Sequence, residues 1–453
     1  MRKKCKWSLR LIGLVIIWSI SVKTFSQSTT VNLKKAIEMA SGNSYSLKAD
    51  SMNMVTARYQ KNVVKADKLP QINYSGKTEY NAAIPSQMLP GKIVGQPEKD
   101  FVPVQFGTRY AMGSGVEVTQ SLFRKDLSLQ IHSAELNTGI AQTKHNLTKE
   151  DLIYQVASSF YDLQTNAEMI RTTTKDYENI LAIVNISKAQ VDKGVLKRID
   201  YESLQINAAN KLSQLNGYQS KYDVQMAYFK YLIGIPADSI ITIETTIKDP
   251  TETQLANTNK IYNREDLHLN RQMIEAKEVE LRSIRAERLP MTSAYFKFNY
   301  QTQYNKAGDA FNNDYWYKSS VIGLSAKISL FDGYRRKNRM SIAQTQLQQL
   351  KFQGEQQQQL ATADWLSSNE KLSNDLKQYT ITQQNLALAE KVFTSRKALY
   401  TEGVTSLIEL LDADRELSQA RTNHIQAMIN VETGLLNTHK ANGTLLTTFL
   451  KSL

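Results

Sequence analysis

Apolar and polar side chains alternate strictly in four short stretches of the chain. Ala294, Phe296, Phe298 and Tyr300 interleave with Tyr295, Lys297, Asn299 and Gln301. Ile322, Leu324, Ala326, Ile328 and Leu330 interleave with Gly323, Ser325, Lys327 and Ser329. Nearer the N-terminus, Ile72, Tyr74 and Tyr80 stand against Asn73, Ser75, Lys77 and Glu79, and Val116, Val118 and Leu122 stand against Glu117, Thr119 and Ser121. A period of two places each set on one face of a strand. The pattern predicts two β-hairpins, over about 70–123 and 290–331, each with one apolar face and one polar face.

After each hairpin the period changes. All eight prolines lie outside 104–235 and 291–453, and these tracts are rich in Gln, Leu, Ala, Lys and Glu, the composition of long helices. Leu152, Val156, Phe160, Leu163, Ala167 and Ile170 make a narrow apolar seam, and so do Leu215, Tyr222, Met226 and Phe229 with Gln219 in register. Long helices are therefore predicted over about 125–233 and 333–443, interrupted at Gly194 and Gly403. The stretch from Asp126 to Gly194 alone would reach on the order of 100 Å at 1.5 Å per residue.

The interruptions repeat. Gly194 and Gly403 are 209 residues apart, Gly234 and Gly443 likewise, and the two Ser-Leu-Phe triplets at 121 and 329 are 208 apart. "KLPQINYSGKTEY" at 68–80 is echoed by "RLPMTSAYFKFNY" at 288–300. The expected organisation is a tandem duplication, with a signal segment at 1–26, a first repeat at 27–240 and a second at 241–453. The longer loop of the first repeat, 83–110, holds four of the prolines.

Taken alone, the alternation fits a water-facing sheet packed on one side. Three features point to a membrane instead. The strands reach about ten residues, enough to cross a bilayer at a tilt. Tyr315, Trp316 and Tyr317 sit near a strand end, as an interfacial girdle would. The N-terminus carries Arg2, Lys3, Lys4, Lys6 and Arg10, then "LIGLVIIWSI", then small and polar residues to Ser26, in the order of an export signal. An open sheet cannot stand in lipid, where each unpaired N–H or C=O costs several kcal/mol. Four strands must then close with those of other chains: two chains would give eight strands and a side-chain-filled interior, three would give twelve.

Composition and charge narrow the class. A hydrophobic fraction of 41% with 22% charged residues fits a folded protein and excludes a bundle of membrane-spanning helices. The single cysteine, Cys5, precedes the apolar run, which argues against lipidation and against a disulfide framework. Six basic residues of the signal segment account for nearly half of the net +13, leaving +7. The other cations are dispersed among acids, so no nucleic acid is implied.

In this arrangement the sequence resembles the TolC-like outer-membrane efflux protein family, from about Val31 to Leu446. "VNLKKAIEMASGNSYSLKADSMNMVTARYQKNVVKADKLPQI" is similar to the family's opening helix pair and its entry to the first strand. "YTEGVTSLIELLDADRELSQARTNHIQAMINVETGLLNTHKANGTL" resembles its last helical hairpin. Asn43–Ser44 stands where relatives usually carry proline, and the short tail after Gly443 would leave an equatorial belt resting on 236–262. The resemblance implies an α+β membrane protein: a homotrimeric, twelve-stranded β-barrel with four strands per chain, continuous with a long α-helical periplasmic barrel. It implies a passive efflux or secretion duct in the outer membrane, working with a periplasmic adaptor protein and an inner-membrane RND or ABC transporter.

The same resemblance assigns residues. Inward-facing carboxylates at the closed periplasmic end fall on Glu409 and Asp412, three apart on one helix face; rings of such charges would attract cations and raise each other's pKa. The bland alternative is a solvated acidic stripe with Glu416. Asp200, six residues after Gly194, is a candidate link between helices, and Thr405 stands where some relatives place a basic partner. Gly194, Val195, Gly403 and Val404 would form hairpin tips that meet the adaptor. Phe296, Phe298, Tyr300, Ile322, Leu324 and Ile328 would face lipid.

Chemistry beyond transport has no support. His132, His145, His268, His424 and His439 are scattered without metal-ligand spacing, and "GSG" at 113–115 lacks the setting of a nucleophile elbow or phosphate loop. No catalytic residue, metal or cofactor is expected. The glutamine-rich stretch 344–360 reads as a polar helix face. A periplasmic coiled-coil adaptor is the competing reading, but an adaptor would carry one helical hairpin where this chain carries two. The exported substrate is not encoded here.

Overall fold

A computed structural model describes residues 29–247 and 264–450. The signal segment and part of the 236–262 belt lie outside the described residues. In chain order the elements are β1 (Thr29–Val31), α1 (Leu33–Asn43), α2 (Tyr45–Ala66), β2 (Gln71–Tyr80), β3 (Ser86–Pro90), β4 (Phe101–Gln105), β5 (Tyr110–Phe123), α3 (Lys125–Asp192), α4 (Arg198–Leu232), β6 (Ile241–Ile243), α5 (Glu265–Ala286), β7 (Met291–Tyr304), β8 (Trp316–Lys327), α6 (Arg335–Thr401), α7 (Leu407–Ala441) and α8 (Leu445–Leu450). Two compact units result. One gathers the chain up to Tyr45, residues 150–247 and the chain from Trp365; the other holds Ser46–Lys149 and residues 264–364.

The second unit is built on a four-stranded antiparallel sheet in the order β2-β5-β7-β8, so the two predicted hairpins join through β5 and β7. Both β2 and β7 start directly after a Leu-Pro pair, and α2 and α5 close a few residues earlier with Leu69 and Leu289 donating back to Ala66 and Ala286. Proline disfavours helix in the residue before it and donates no ladder bond, which fixes both boundaries. It also corrects one expectation. Met291 pairs with Lys327, and the next partner would be Pro290, so β8 stops and Ile328 lies outside the strand.

Register sorts the faces. Phe296 opposes Ile322 and Val118, Val118 opposes Ile72, and Val116 opposes Tyr74 and Phe298, making one continuous apolar face. On the reverse, Glu117 opposes Lys297 and the two form an ion pair of 3.0 Å. Tyr317 opposes Gln301 and so belongs to the polar face, not to an aromatic girdle. The sequence reading missed the hairpin β3–β4 inside the proline-bearing loop, where Pro103 is confined to an edge strand.

In the first unit, α1, the end of α4 and parts of α3, α7 and α8 enclose Ile37, Val156, Phe160, Phe229 and Leu436, with the parallel pair β1–β6 alongside. A second core joins Ile180 and Ile183 of α3, Leu204 and Ala208 of α4, Phe393 of α6, and Leu407, Leu410 and Leu417 of α7. Burial of such seams, at about 25 cal/mol per Å² of apolar surface, holds the long helices together. Asn43, at the expected proline site, donates through its side chain to the Ile233 carbonyl.

Candidate functional site

The long helices reverse where glycine permits it. Gly194 has φ +72° and Gly403 φ +75°. At each, the following valine donates five residues back, Val195 to the Gln190 carbonyl and Val404 to the Leu399 carbonyl, both at 2.9 Å. A left-handed residue with this bond closes a helix without orphaning its last carbonyls. The reversals leave apolar side chains in water. Val195 is 76% exposed and Val404 70%, with Ile199 and Ile408 close behind on the next turns.

Below the second reversal, Ser406 caps α7 and accepts from the Glu409 backbone N–H at 3.3 Å. The Glu409 carboxylate accepts from Thr405 Oγ1 at 2.6 Å and pairs with Arg396 of α6. The Thr405 hydrogen bond, with the Arg396 charge, holds the Glu409 carboxyl below its usual range. That direction is opposite to the one expected of a like-charge ring, because within one chain the nearest groups are a hydroxyl donor and a cation. Asp412 pairs with Arg415 on the same helix. Asp200 stands in the first turn of α4 and forms no ion pair among the described residues. Thr405, standing where some relatives place a basic partner, thus donates a hydrogen bond to the Glu409 carboxylate beside the Arg396 pair.

Deeper in the bundle lies a buried charge network that the sequence reading missed. Lys211 of α4, almost fully buried, sits 3.2 Å from Asp414 of α7 and 3.7 Å from Asp176 of α3. Lys211 also donates to Ser418, and Ser418 donates to Asp176 at 2.9 Å. Arg421 pairs with Asp176 and, at 3.5 Å, with Glu390 of α6. Burial pushes the Asp414 carboxyl up, against the pull of Lys211. One signal could have revealed the network: Lys211 takes a seam position between Leu204, Ala208 and Leu215, where an apolar residue belongs.

The sheet carries the remaining predicted residues. Ile322 is 83% exposed and Leu324 78%, on the face shared with Phe296, Phe298 and Tyr300. Rings gather on this face at the end of the sheet near the β7–β8 connection. Tyr300 stacks on Trp316 at 4.7 Å, and Tyr110 stacks on Tyr304 at 5.4 Å. Among the described residues no helix is long and apolar enough to cross a membrane, and no cluster of three or more His, Cys, Asp or Glu side chains is placed to hold a metal.

The family model for the outer membrane efflux protein matches residues 36–234 and 259–443, nearly the whole chain. The chain belongs to the outer membrane efflux protein family. Solved structures of similar fold include the outer-membrane channel OprN, at 16% identity over 91% of this chain and 90% of that one with a TM-score of 0.74. The outer membrane protein VceC of Vibrio cholerae gives 15%, 91%, 96% and 0.76. The outer membrane channel CmeC of Campylobacter jejuni gives 13%, 91%, 85% and 0.73. No curated protein sequence matches. OprN and CmeC are outer-membrane channels, and the mostly helical chain with its small sheet shares the fold of these neighbours.

Proposed function

We propose that this chain is the outer-membrane exit duct of a tripartite efflux or type I secretion system, a passive channel whose helices reach into the periplasm. The observation that carries the reading is the sheet: one face is apolar and exposed, and both edge strands, β2 and β8, lack a partner among the described residues. Unpaired edges cannot face lipid, so the sheet closes with those of identical neighbours. Three chains supply twelve strands and a wet lumen, lined by the polar face with its Glu117–Lys297 pair.

The paired hairpins and the paired glycine reversals support a tandem duplication, with a first repeat to about 240 and a second from 241. The exposed valines at the two reversals fit the coiled tips of a periplasmic adaptor, and an inner-membrane RND or ABC transporter would supply the energy. Glu409 and Asp412 would serve as gate carboxylates, a role that their pairing with Arg396 and Arg415 supports, with Asp200 as a link from α4.

Heat-modifiable migration of the purified chain and its conductance in planar bilayers test the reading together. A trimer that melts to monomer on boiling and conducts ions is expected. A water-soluble monomer without conductance would falsify it.

A further inference from the structure

At the edge of the sheet where β2 and β7 begin and β5 and β8 end, every crossing segment carries cations. Segments 65–69, 122–126, 285–289 and 330–339 hold ten Lys or Arg against four Asp or Glu. They are neighbours in space: Gln120 donates to the Lys68 carbonyl at 2.6 Å, Ser283 donates to the Asp126 carbonyl at 3.2 Å, and Arg339 pairs with Glu287 at 2.9 Å. Two of the four acids are occupied, Glu287 by Arg339 and Asp126 by Arg124. Lys68, Lys125, Arg288, Arg335 and Lys337 are exposed and form no ion pair among the described residues.

Helix electrostatics makes part of this cluster unfavourable. Lys65 and Arg285, in the last turns of α2 and α5, complement the negative helix end. Lys125 opens α3 beside Asp126, however, and Arg335, Arg336 and Lys337 open α6, where the one acid close by, Asp332, already accepts the Arg336 backbone N–H at 3.1 Å. Cations at the positive end of a helix are disfavoured unless an anion lies nearby.

The same edge exposes apolar side chains that carry the apolar sheet face onward. Leu330 is 91% exposed and Phe331 74%, beside Leu69, Phe123 and Leu289. Tyr334 has φ +61°, a left-handed conformation that a bulky residue rarely adopts, and its ring meets Phe331 edge-on at 5.6 Å with Lys337 Nζ above it at 6.0 Å. Apolar anchors beside unpaired cations are the chemistry of a headgroup boundary.

We infer that this collar binds the anionic headgroups of glycerophospholipids, through Lys68, Lys125, Arg335 and Lys337, with Leu330, Phe331 and Tyr334 seated at the level of the glycerol backbone. The inference rests on the barrel reading and extends it, naming the leaflet at the helical side of the sheet as a specific partner. It accounts for the stretch that opens on the second Ser-Leu-Phe triplet, "SLFDGYRRKN" at 329–338: the apolar triplet enters the interface, and the basic run meets phosphate.

The full chain, reconstituted in phosphatidylcholine vesicles with and without an equal part of phosphatidylglycerol, gives the test through the melting temperature of its oligomer. Phosphatidylglycerol is expected to raise that temperature for the wild type. The combined variant Lys68→Gln, Lys125→Gln, Arg335→Gln and Lys337→Gln should lose the rise and keep the phosphatidylcholine value, each lost cation weakening the lipid association roughly fivefold. Should that variant fail to assemble, the two pairs Lys68→Gln with Lys125→Gln, and Arg335→Gln with Lys337→Gln, should each lose part of the rise, while Arg335→Lys keeps it. An unchanged rise in the neutralised variants, or the same rise from inorganic phosphate alone, overturns the collar and leaves the barrel reading standing. A chain that does not float with either vesicle overturns both.

Discussion

Lys211 is held by three side chains inside the helical bundle, Asp176, Asp414 and Ser418. Its ammonium, buried between α3, α4 and α7, faces Asp176 and Asp414, and the remaining charges nearby are Arg421 and Glu390. Removing one partner of a buried ion pair costs about 3–5 kcal/mol, because the other charge is left without water. Lys211→Met should therefore lower the melting temperature of the oligomer markedly, and the combination with Asp414→Leu should recover part of the loss. The pH dependence has a definite sign. Asp414 binds its proton more tightly folded than unfolded, so its ionisation weakens the fold as pH rises from the ordinary aspartate range through the raised value. Asp414→Asn should flatten thermal stability across that window while leaving the acid side unchanged; a parallel displacement at every pH would refute the assignment. Glu409 behaves differently, since its carboxyl is exposed and lowered by Thr405 and Arg396. In planar bilayers, Glu409→Ala with Asp412→Ala should weaken cation selectivity and block by polyvalent cations. Unchanged currents would remove the gate and leave the fold intact.

At the scale of elements, much of the fold could be read directly from the chain. The period-two stretches became β2, β5, β7 and β8 because their faces differ in polarity, and the proline-free tracts became α3, α4, α6 and α7 because nothing in them interrupts a helix except Gly194 and Gly403. What escaped the sequence depended on long-range contacts. The pair β1–β6 is only three residues per strand and parallel, too short for any period to register. Hairpin β3–β4 hid behind Pro90 and Pro103, which read as loop. The buried network escaped because Asp176, Lys211 and Asp414 are far apart in sequence, and the seam position of Lys211 was the one mark it left. Face assignment gives a sharp test. Ile322→Lys, on the apolar face, should destabilise the reconstituted barrel by about 2–4 kcal/mol if it lies near the bilayer midplane. Ser319→Lys, on the opposite face of the same strand, should cost little. Equal costs, measured by urea titration in vesicles, would mean that the sheet does not separate lipid from water.

For the whole molecule the deciding matter is how the sheet ends. Among the described residues, strands β2 and β8 each present an unpaired ladder, and neighbouring strands lie about 4.8 Å apart once a ladder forms. If three copies close the barrel, β2 of one chain runs beside β8 of the next. The only cysteine of the chain, Cys5, falls within the segment expected to be removed on export, so introduced thiols would be free of background. Ser75 points to the polar face from β2, and Ser319, Val321 and Gly323 point to the same face from β8. A disulfide needs Cβ atoms within about 4.5 Å, so Ser75→Cys combined in turn with a cysteine at each of the three β8 positions samples the register. One combination should yield covalent dimers and trimers on a non-reducing gel, converted to monomer by reductant, while both single variants stay monomeric. A bond formed only within one chain would mean that four strands curl on themselves, a closure too narrow for a lumen and one that would end the duct reading at its foundation.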